Sequence, residues 1–186
     1  MGHLTVIMGC MFAQKTTELL RYIRRYQSIG YRILVINSKR DTRYGNHCIA
    51  SHDEKKEEAV MVDTLLELEE KVASGDYHAV VVDEAQFFPD LFACITRWAD
   101  RYPLPIVVAG LDGTSEREPF GDLLRLVPHA EEVLRLTALC AVCRDGTRAT
   151  FSQWIPAGVK DTVAVGGAES YRPVCRTHYL ATKQDT

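Results

Sequence analysis

Apolar residues in this chain follow two alternating rhythms. Short apolar runs at 4–8, 31–36, 79–82, 106–111 and 133–136 are too brief for helices and read as strands; the unbroken β-branched run at 79–82 reads as a buried one. Between them lie segments of helical period. In 16–29, Leu19, Leu20, Ile23 and Tyr26 share one face while Arg21, Arg24 and Arg25 point mainly the other way, and Gly30 supplies a stop. A short strand near Val60 leads to a helix at 64–73, where Thr64 and Glu67 have capping-box spacing. Pro89 suits the first turn of a helix reaching Tyr102, and 120–127 predicts a short helix. The stretch 37–56 is polar and rich in turn formers.

This βαβ alternation predicts a parallel sheet with helices on both faces, over residues 1–137. After Thr137 the rhythm stops. Cysteine pairs, Gly166-Gly167 and β-like pieces at 149–154 and 162–165 predict a second, smaller lobe over 138–186.

Two motifs sit where such a sheet binds ligands. Gly9, Cys10, Met11, Phe12, Ala13, Gln14, Lys15 and Thr16 join the first strand to the first helix, where backbone N–H groups and a helix N-terminus can surround an anion. Against the phosphate-loop pattern G-x-x-x-x-G-K-[ST], only the second glycine is missing: Gln14 stands there. Either its side chain turns away or the loop bends differently. Alone, the stretch also fits a strand–turn–helix with a solvated Lys15. The run at 79–82, however, ends in Asp83 and Glu84, the Walker B arrangement, which puts two carboxylates at the C-terminal edge of the sheet. Asp83 would hold Mg²⁺ directly or through water, and Glu84 would orient or deprotonate a nucleophile. Together, in this order and on these elements, the motifs predict a P-loop nucleotide-binding domain.

Cys140-x-x-Cys143 and Cys175-x-x-His178 form two knuckle-type pairs, a set suited to tetrahedral Zn²⁺ with no open position, hence a structural site. Cys48 and Cys94 have no spaced partner and read as buried fillers; Cys10, within the loop, is either oxidation-sensitive or inert. With a net charge of -3, 46% apolar and 25% charged residues, the chain has an ordinary soluble composition and no electrostatic reason to bind nucleic acid. No apolar run approaches the ~20 residues of a membrane span, and the first residues lack the layout of a leader. Met1-Gly2 fails as a lipidation motif because Val6 is not Ser or Thr. A cytoplasmic location is expected, with the six cysteines as thiols or metal ligands rather than disulfides.

Taken in order, these motifs carry a resemblance. The loop with Met11-Phe12 comes first, then Asp41-Thr42-Arg43-Tyr44-Gly45 and Asp83-Glu84-Ala85-Gln86-Phe87-Phe88. Ala109-Gly110-Leu111-Asp112-Gly113 and Glu118-Pro119-Phe120-Gly121 follow, and the cysteine pairs frame 165–171. Over nearly its whole length the chain resembles the zinc-containing (type II) thymidine kinases of cells, bacteria and several viruses. The resemblance implies transfer of the γ-phosphate of ATP to the 5′-hydroxyl of thymidine, giving dTMP, with deoxyuridine as a second substrate. It places residues 9–16, Asp41, Thr42, Arg43, Asp83 and Gln86 on the phosphate side with Mg²⁺, and makes Glu84 the general base. It assigns the base pocket to Met11, Phe87, Leu111, Ser115, Phe120 and Tyr171, with Thr162, Val163, Ala164, Val165 and Gly166 as a covering loop held by the zinc lobe. A homotetramer and feedback inhibition by dTTP are further family expectations.

Two departures stand out. Gln14 opens the alternative of a degenerate nucleotide-binding homologue with weak or no transfer. Ser115 replaces an aromatic residue of many members, so base stacking is either weaker or supplied elsewhere. His178 in place of a fourth cysteine is a variation some bacterial members share. A nucleic-acid-dependent ATPase, suggested by the Asp-Glu-Ala-Gln string at 83–86 and the zinc pairs, is disfavoured: the chain is too short for two motor domains, and Arg21, Arg24 and Arg25 read as one solvated helix face.

Overall fold

Strand registers are set here by the period of two in the apolar runs. The computed structural model describes residues 2–41, 48–50, 56–155 and 170–184. Along the chain it forms β1 (His3–Gly9), α1 (Lys15–Gln27), β2 (Ile33–Ser38), β3 (Cys48–Ala50), β4 (Lys56–Glu58), β5 (Val60–Val62), α2 (Glu69–Ala73) and β6 (Ala79–Val82). There follow α3 (Leu91–Arg101), β7 (Pro105–Leu111), β8 (Glu132–Leu136), β9 (Ala138–Leu139), β10 (Arg148–Ala149), β11 (Phe151–Trp154), β12 (Tyr171–Val174) and α4 (Arg176–Gln184). The main sheet has six strands in the order β5-β2-β6-β7-β1-β8, every pair parallel.

Alternation sorts the strand residues onto two faces. Leu4, Val6, Leu34, Ile36, Val80, Val82, Ile106 and Val108 join Leu65, Leu68, Val72, Leu91, Ile95 and Trp98 in one buried cluster. Ile7, Val35, Val81, Val107 and Ala109 meet Leu19, Leu20, Tyr22 and Ile23 of α1 in a second. Helices therefore cover both faces, as the alternation predicts. Burying a side chain such as Leu91 or Ile95 contributes about 1.5–3 kcal/mol, which fixes α3 against the sheet. No helix among the described residues is long and apolar enough to cross a membrane.

Several boundaries differ from the sequence expectation, each for a local reason. The predicted helix at 64–73 begins as a 3-10 segment, Leu65–Leu68, before α2. The Asp90 carboxylate there accepts from the Leu65 and Leu66 N–H groups at 3.1 and 2.9 Å, and Glu67 from Thr64 N–H at 2.9 Å; such tight first turns are common. The predicted helix at 120–127 is a 3-10 run, Leu123–His129, with Pro128 inside it, which has no N–H to donate. Pro89 lies just ahead of α3 rather than in it. β3, inside the stretch read as turn-rich, forms an antiparallel pair with β4 at its end.

The C-terminal residues make two small antiparallel pairs, β9 with β10 and β11 with β12, followed by α4. Their buried cluster also takes in Cys10 and Ala13, so it packs directly against the β1–α1 connection.

Candidate active site and metal centre

β1 ends at Gly9 because the chain there presses on β8: a Cβ at this position would sit 2.4 Å from the Leu136 carbonyl oxygen. The connection that follows contains two residues in left-handed conformation, Phe12 and Gln14, both at φ 64°. Gln14 thus adopts the backbone geometry that a glycine would reach freely, at a cost of roughly 1–2 kcal/mol. Two hydrogen bonds offset that cost. Thr17 Oγ1 donates to Gln14 Oε1 at 2.7 Å, and Glu18 N–H donates to the Gln14 carbonyl at 3.0 Å. The side chain is exposed and turned along α1, the first of the two alternatives the sequence left open.

The loop closes on itself and on β6. Lys15 is buried, and its Nζ donates to the Cys10 carbonyl at 2.8 Å. Thr16 Oγ1 donates to Asp83 Oδ2 at 2.9 Å, tying the start of α1 to the tip of β6. Asp83 and Glu84 are both buried. Glu84 has φ 48°, a left-handed turn held by its N–H donating to Asp83 Oδ1 at 2.9 Å. Gln86 Nε2 donates to Glu84 Oε2 at 2.6 Å, while Leu111 N–H donates to Gln86 Oε1 at 2.9 Å. Asp41 is buried near the end of β2, where Asn37 Nδ2 donates to its Oδ2 at 3.2 Å. Thr42 and Arg43 lie outside the described residues.

Apolar candidates gather on the β6–β7 side. Phe87 and Phe120 meet edge-to-face with centroids 5.6 Å apart, and Leu111 is half-buried beside the Gln86 amide. Met11 is half-buried, its N–H donating to Ser152 Oγ at 3.0 Å. The Ser115 carbonyl accepts from Tyr179 OH at 2.7 Å, so that residue is held from α4. Tyr171 packs edge-on against Trp154 at 5.1 Å, and burial raises its phenol pKa. Thr162, Val163, Ala164, Val165 and Gly166 lie outside the described residues. Burial likewise raises the Cys10 thiol above its ordinary value, against smaller opposing pulls from the Ala138 backbone and then Lys15, and its Sγ donates to the Ala149 carbonyl at 3.4 Å. Those facts favour the inert reading of Cys10.

A cleft of about 370 Å³ is bordered by Cys10, Asp112, Arg117, Arg135, Phe151 and Ser152 among others. Neither Lys15, Glu84 nor Phe87 borders it. Two contacts escaped the sequence reading. Asn37 had a signal, a polar residue at a strand's C-terminal end four positions before Asp41. Ser152 had none, since its partner Met11 is 141 residues away.

Cys140, Cys143, Cys175 and His178 converge with all ligand atoms within 4.8 Å of one another. Zn–S bonds of about 2.3 Å and Zn–N bonds of about 2.0–2.1 Å imply tetrahedral edges of about 3.8 Å between sulfurs and about 3.6 Å from sulfur to nitrogen. The Cys143–Cys175 Sγ separation is 3.8 Å, and His178 Nδ1 lies 3.6, 3.4 and 3.2 Å from Cys140, Cys143 and Cys175 Sγ. The donor set therefore fits Zn²⁺. Cys140 and Cys143 come from the turn after β9, and Cys175 and His178 from the start of α4, so one ion would clamp both ends of these strands.

Comparisons with known proteins agree with this arrangement. A family profile described as "Thymidine kinase" matches residues 2–179. A thymidine kinase of Yaba monkey tumor virus is 39% identical over 179 residues, covering 96% of this chain and 95% of the relative. One from Variola virus is 38% identical over 179 residues, covering 96% and 97%. A thymidine kinase of Oryza sativa subsp. japonica is 42% identical over 183 residues, 96% of this chain and 66% of the plant protein. With a match that runs through the loop, the acidic tip of β6 and the Cys3His cluster alike, the chain belongs to the thymidine kinase family.

Proposed function

We propose that this protein phosphorylates thymidine with ATP, transferring the γ-phosphate to the 5′-hydroxyl to give dTMP, with deoxyuridine as a second substrate. The observation that carries the reading is the Thr16–Asp83 hydrogen bond: it joins the 9–16 loop to the acidic end of β6 and puts Glu84 beside that junction. Loop amides from Gly9 to Thr16 and the Lys15 ammonium hold the phosphates, with Asp41, Thr42 and Arg43 on the same side. Thr16 and Asp83, two oxygen donors already in contact, are the residues that would hold Mg²⁺, which supplies charge neutralisation for the transferring group. Glu84 accepts the 5′-hydroxyl proton as that oxygen bonds to the γ-phosphorus. The bond between that phosphorus and its bridging oxygen breaks, and ADP leaves. Little covalent chemistry falls to the protein, so positioning and electrostatics carry the catalysis.

Thymine is received by Met11, Phe87, Leu111, Ser115, Phe120 and Tyr171, with 162–166 covering it. The edge-to-face Phe87–Phe120 pair supplies aromatic surface for the base. We assign residues 1–137 to the nucleotide-binding domain and 138–186 to the zinc lobe. A cytoplasmic homotetramer inhibited by dTTP belongs to the same reading. An ATP-dependent assay across the four deoxynucleosides and deoxyuridine tests it. Thymidine is expected to have the highest kcat/KM, and absence of thymidine phosphorylation would overturn the proposal.

The degenerate alternative gains nothing from the comparisons, and the Gln14 geometry argues against it. Since Gln14 already holds the left-handed conformation, Gln14→Gly relieves backbone strain without rebuilding the loop. The expected result is turnover within about threefold of the starting protein and a stability change of no more than about 1 kcal/mol. A rise in kcat of tenfold or more would show that the glutamine impairs transfer.

A further inference from the structure

We infer that Gln86 is a positioning residue for Glu84: its amide fixes the carboxylate's orientation and locks it to the end of β7. The inference deepens the proposed reaction and rests on Glu84 being the base. Gln86 is 4% exposed and lies two residues beyond Glu84 in the 3-10 turn Ala85–Phe87. Its amide is used at both ends, Nε2 donating to Glu84 Oε2 at 2.6 Å and Oε1 accepting from Leu111 N–H at 2.9 Å. A flipped amide would set oxygen against carboxylate and N–H against N–H, so only one orientation satisfies both partners.

The main chain crowds this side chain closely. A Cβ at Gly110 would lie 2.6 Å from Gln86 Oε1, and one at Gly121 would lie 2.4 Å from the Gln86 carbonyl oxygen. Gly121 is also at φ 59°, where a side chain is strained. The main chain of β7 and of the 118–121 turn thus packs directly on Gln86, and both glycines serve that close approach. Leu111, whose N–H completes the bridge, is a proposed thymine contact. The base and the pocket are thereby connected through one amide. A carboxylate held at one oxygen by a donor fixed from both sides cannot rotate freely, and a base accepts a proton efficiently only from a fixed near-attack geometry.

The family resemblance implies a phosphate-side place for Gln86; the two roles predict different kinetics. Gln86→Met removes both hydrogen bonds at similar volume. Gln86→Glu keeps the acceptor for Leu111 N–H but withdraws the donor from Glu84, which guards against a loss that merely reflects poor folding. Both variants are expected to lower kcat by about 10–100-fold while KM for ATP and for thymidine stays within about threefold. In a Glu84→Gln background, Gln86→Met should change the residual rate by less than about twofold, because a positioner has nothing left to position. Thermal melts on every variant report the fold. Should KM for ATP rise tenfold with kcat unchanged, or the Gln86→Met loss persist undiminished without Glu84, the positioning role is overturned. Retained turnover in Glu84→Gln itself would instead sink the base assignment, so the two failures are distinguishable.

Discussion

Replacing Glu84 with Gln is expected to cut kcat by about 10²–10⁴-fold, the usual worth of a positioned general base. At 1.36 kcal/mol per decade that is roughly 3–5 kcal/mol of transition-state stabilisation. The substitution is close to isosteric, and a glutamine oxygen at the Oε2 position still accepts from Gln86 Nε2, so the local hydrogen bond survives. The backbone bond from residue 84 N–H to Asp83 Oδ1 is untouched, which preserves the left-handed turn at φ 48°. What disappears is the capacity to take up a proton. KM for thymidine and ATP should stay within about threefold, and the melting temperature within about 2–4 °C, the shift that 1 kcal/mol produces in a chain of this size. Steady-state kinetics with a thermal melt on the same preparation check it. Wild-type turnover from a well-folded Glu84→Gln protein would leave the proposed mechanism without its base.

How much of this site the sequence discloses depends on the range of each interaction. The run at 79–82 followed by Asp83 and Glu84 is legible because burial on both faces demands unbroken apolar residues, here Ala-Val-Val-Val, and the switch to two acids marks the strand's C-terminal tip. The Cys3His set is legible because two-residue gaps are what one turn needs to present two donors. β3 and β4 are not: three residues each, and among the described residues paired with one another alone, they carry no hydrophobic alternation to detect. Gln14 shows a subtler limit. A pattern registers a missing glycine, yet the backbone angle it was meant to secure is present, supported by a threonine three residues on. The Gln86 bridge and the Met11–Ser152 bond depend on which way a side chain turns and on chain folding across long separations. Neither leaves a periodic trace.

Loss of the metal centre is expected to have the other large effect, and it should reach catalysis through the fold. The buried cluster under β9–β12 comprises Cys10, Ala13, Ala138, Cys140, Ala149, Val174 and Tyr179, mostly small side chains, with Phe12, Leu136 and Phe151 packed half-buried against it. Ala138, Ala149 and similar residues bury too little apolar area to anchor such short strands, a situation in which small units rely on a staple. Structural Zn²⁺ contributes about 10–16 kcal/mol of apparent binding energy in isolated zinc-finger peptides, so withdrawing one thiolate costs several kcal/mol here. At about 2–4 °C per kcal/mol, Cys140→Ser should lower the melting temperature by roughly 10 °C or more and bring zinc content well below one ion per chain. The same strands carry Ser152, which holds Met11 N–H, and α4 carries Tyr179, which holds the Ser115 carbonyl. Thymidine kinase activity should therefore fall at least about tenfold, with KM for thymidine rising as the pocket loosens. Cys94→Ser is the control. Burial beside Asp90 pushes that thiol up to about 12, and it sits on the buried face of α3, outside the four-ligand cluster. Its zinc content should match that of the unaltered protein. Zinc analysis, melting and thymidine kinetics on the two variants separate the outcomes: a Cys140→Ser protein that melts and turns over like the original would show that the cluster holds no metal of consequence.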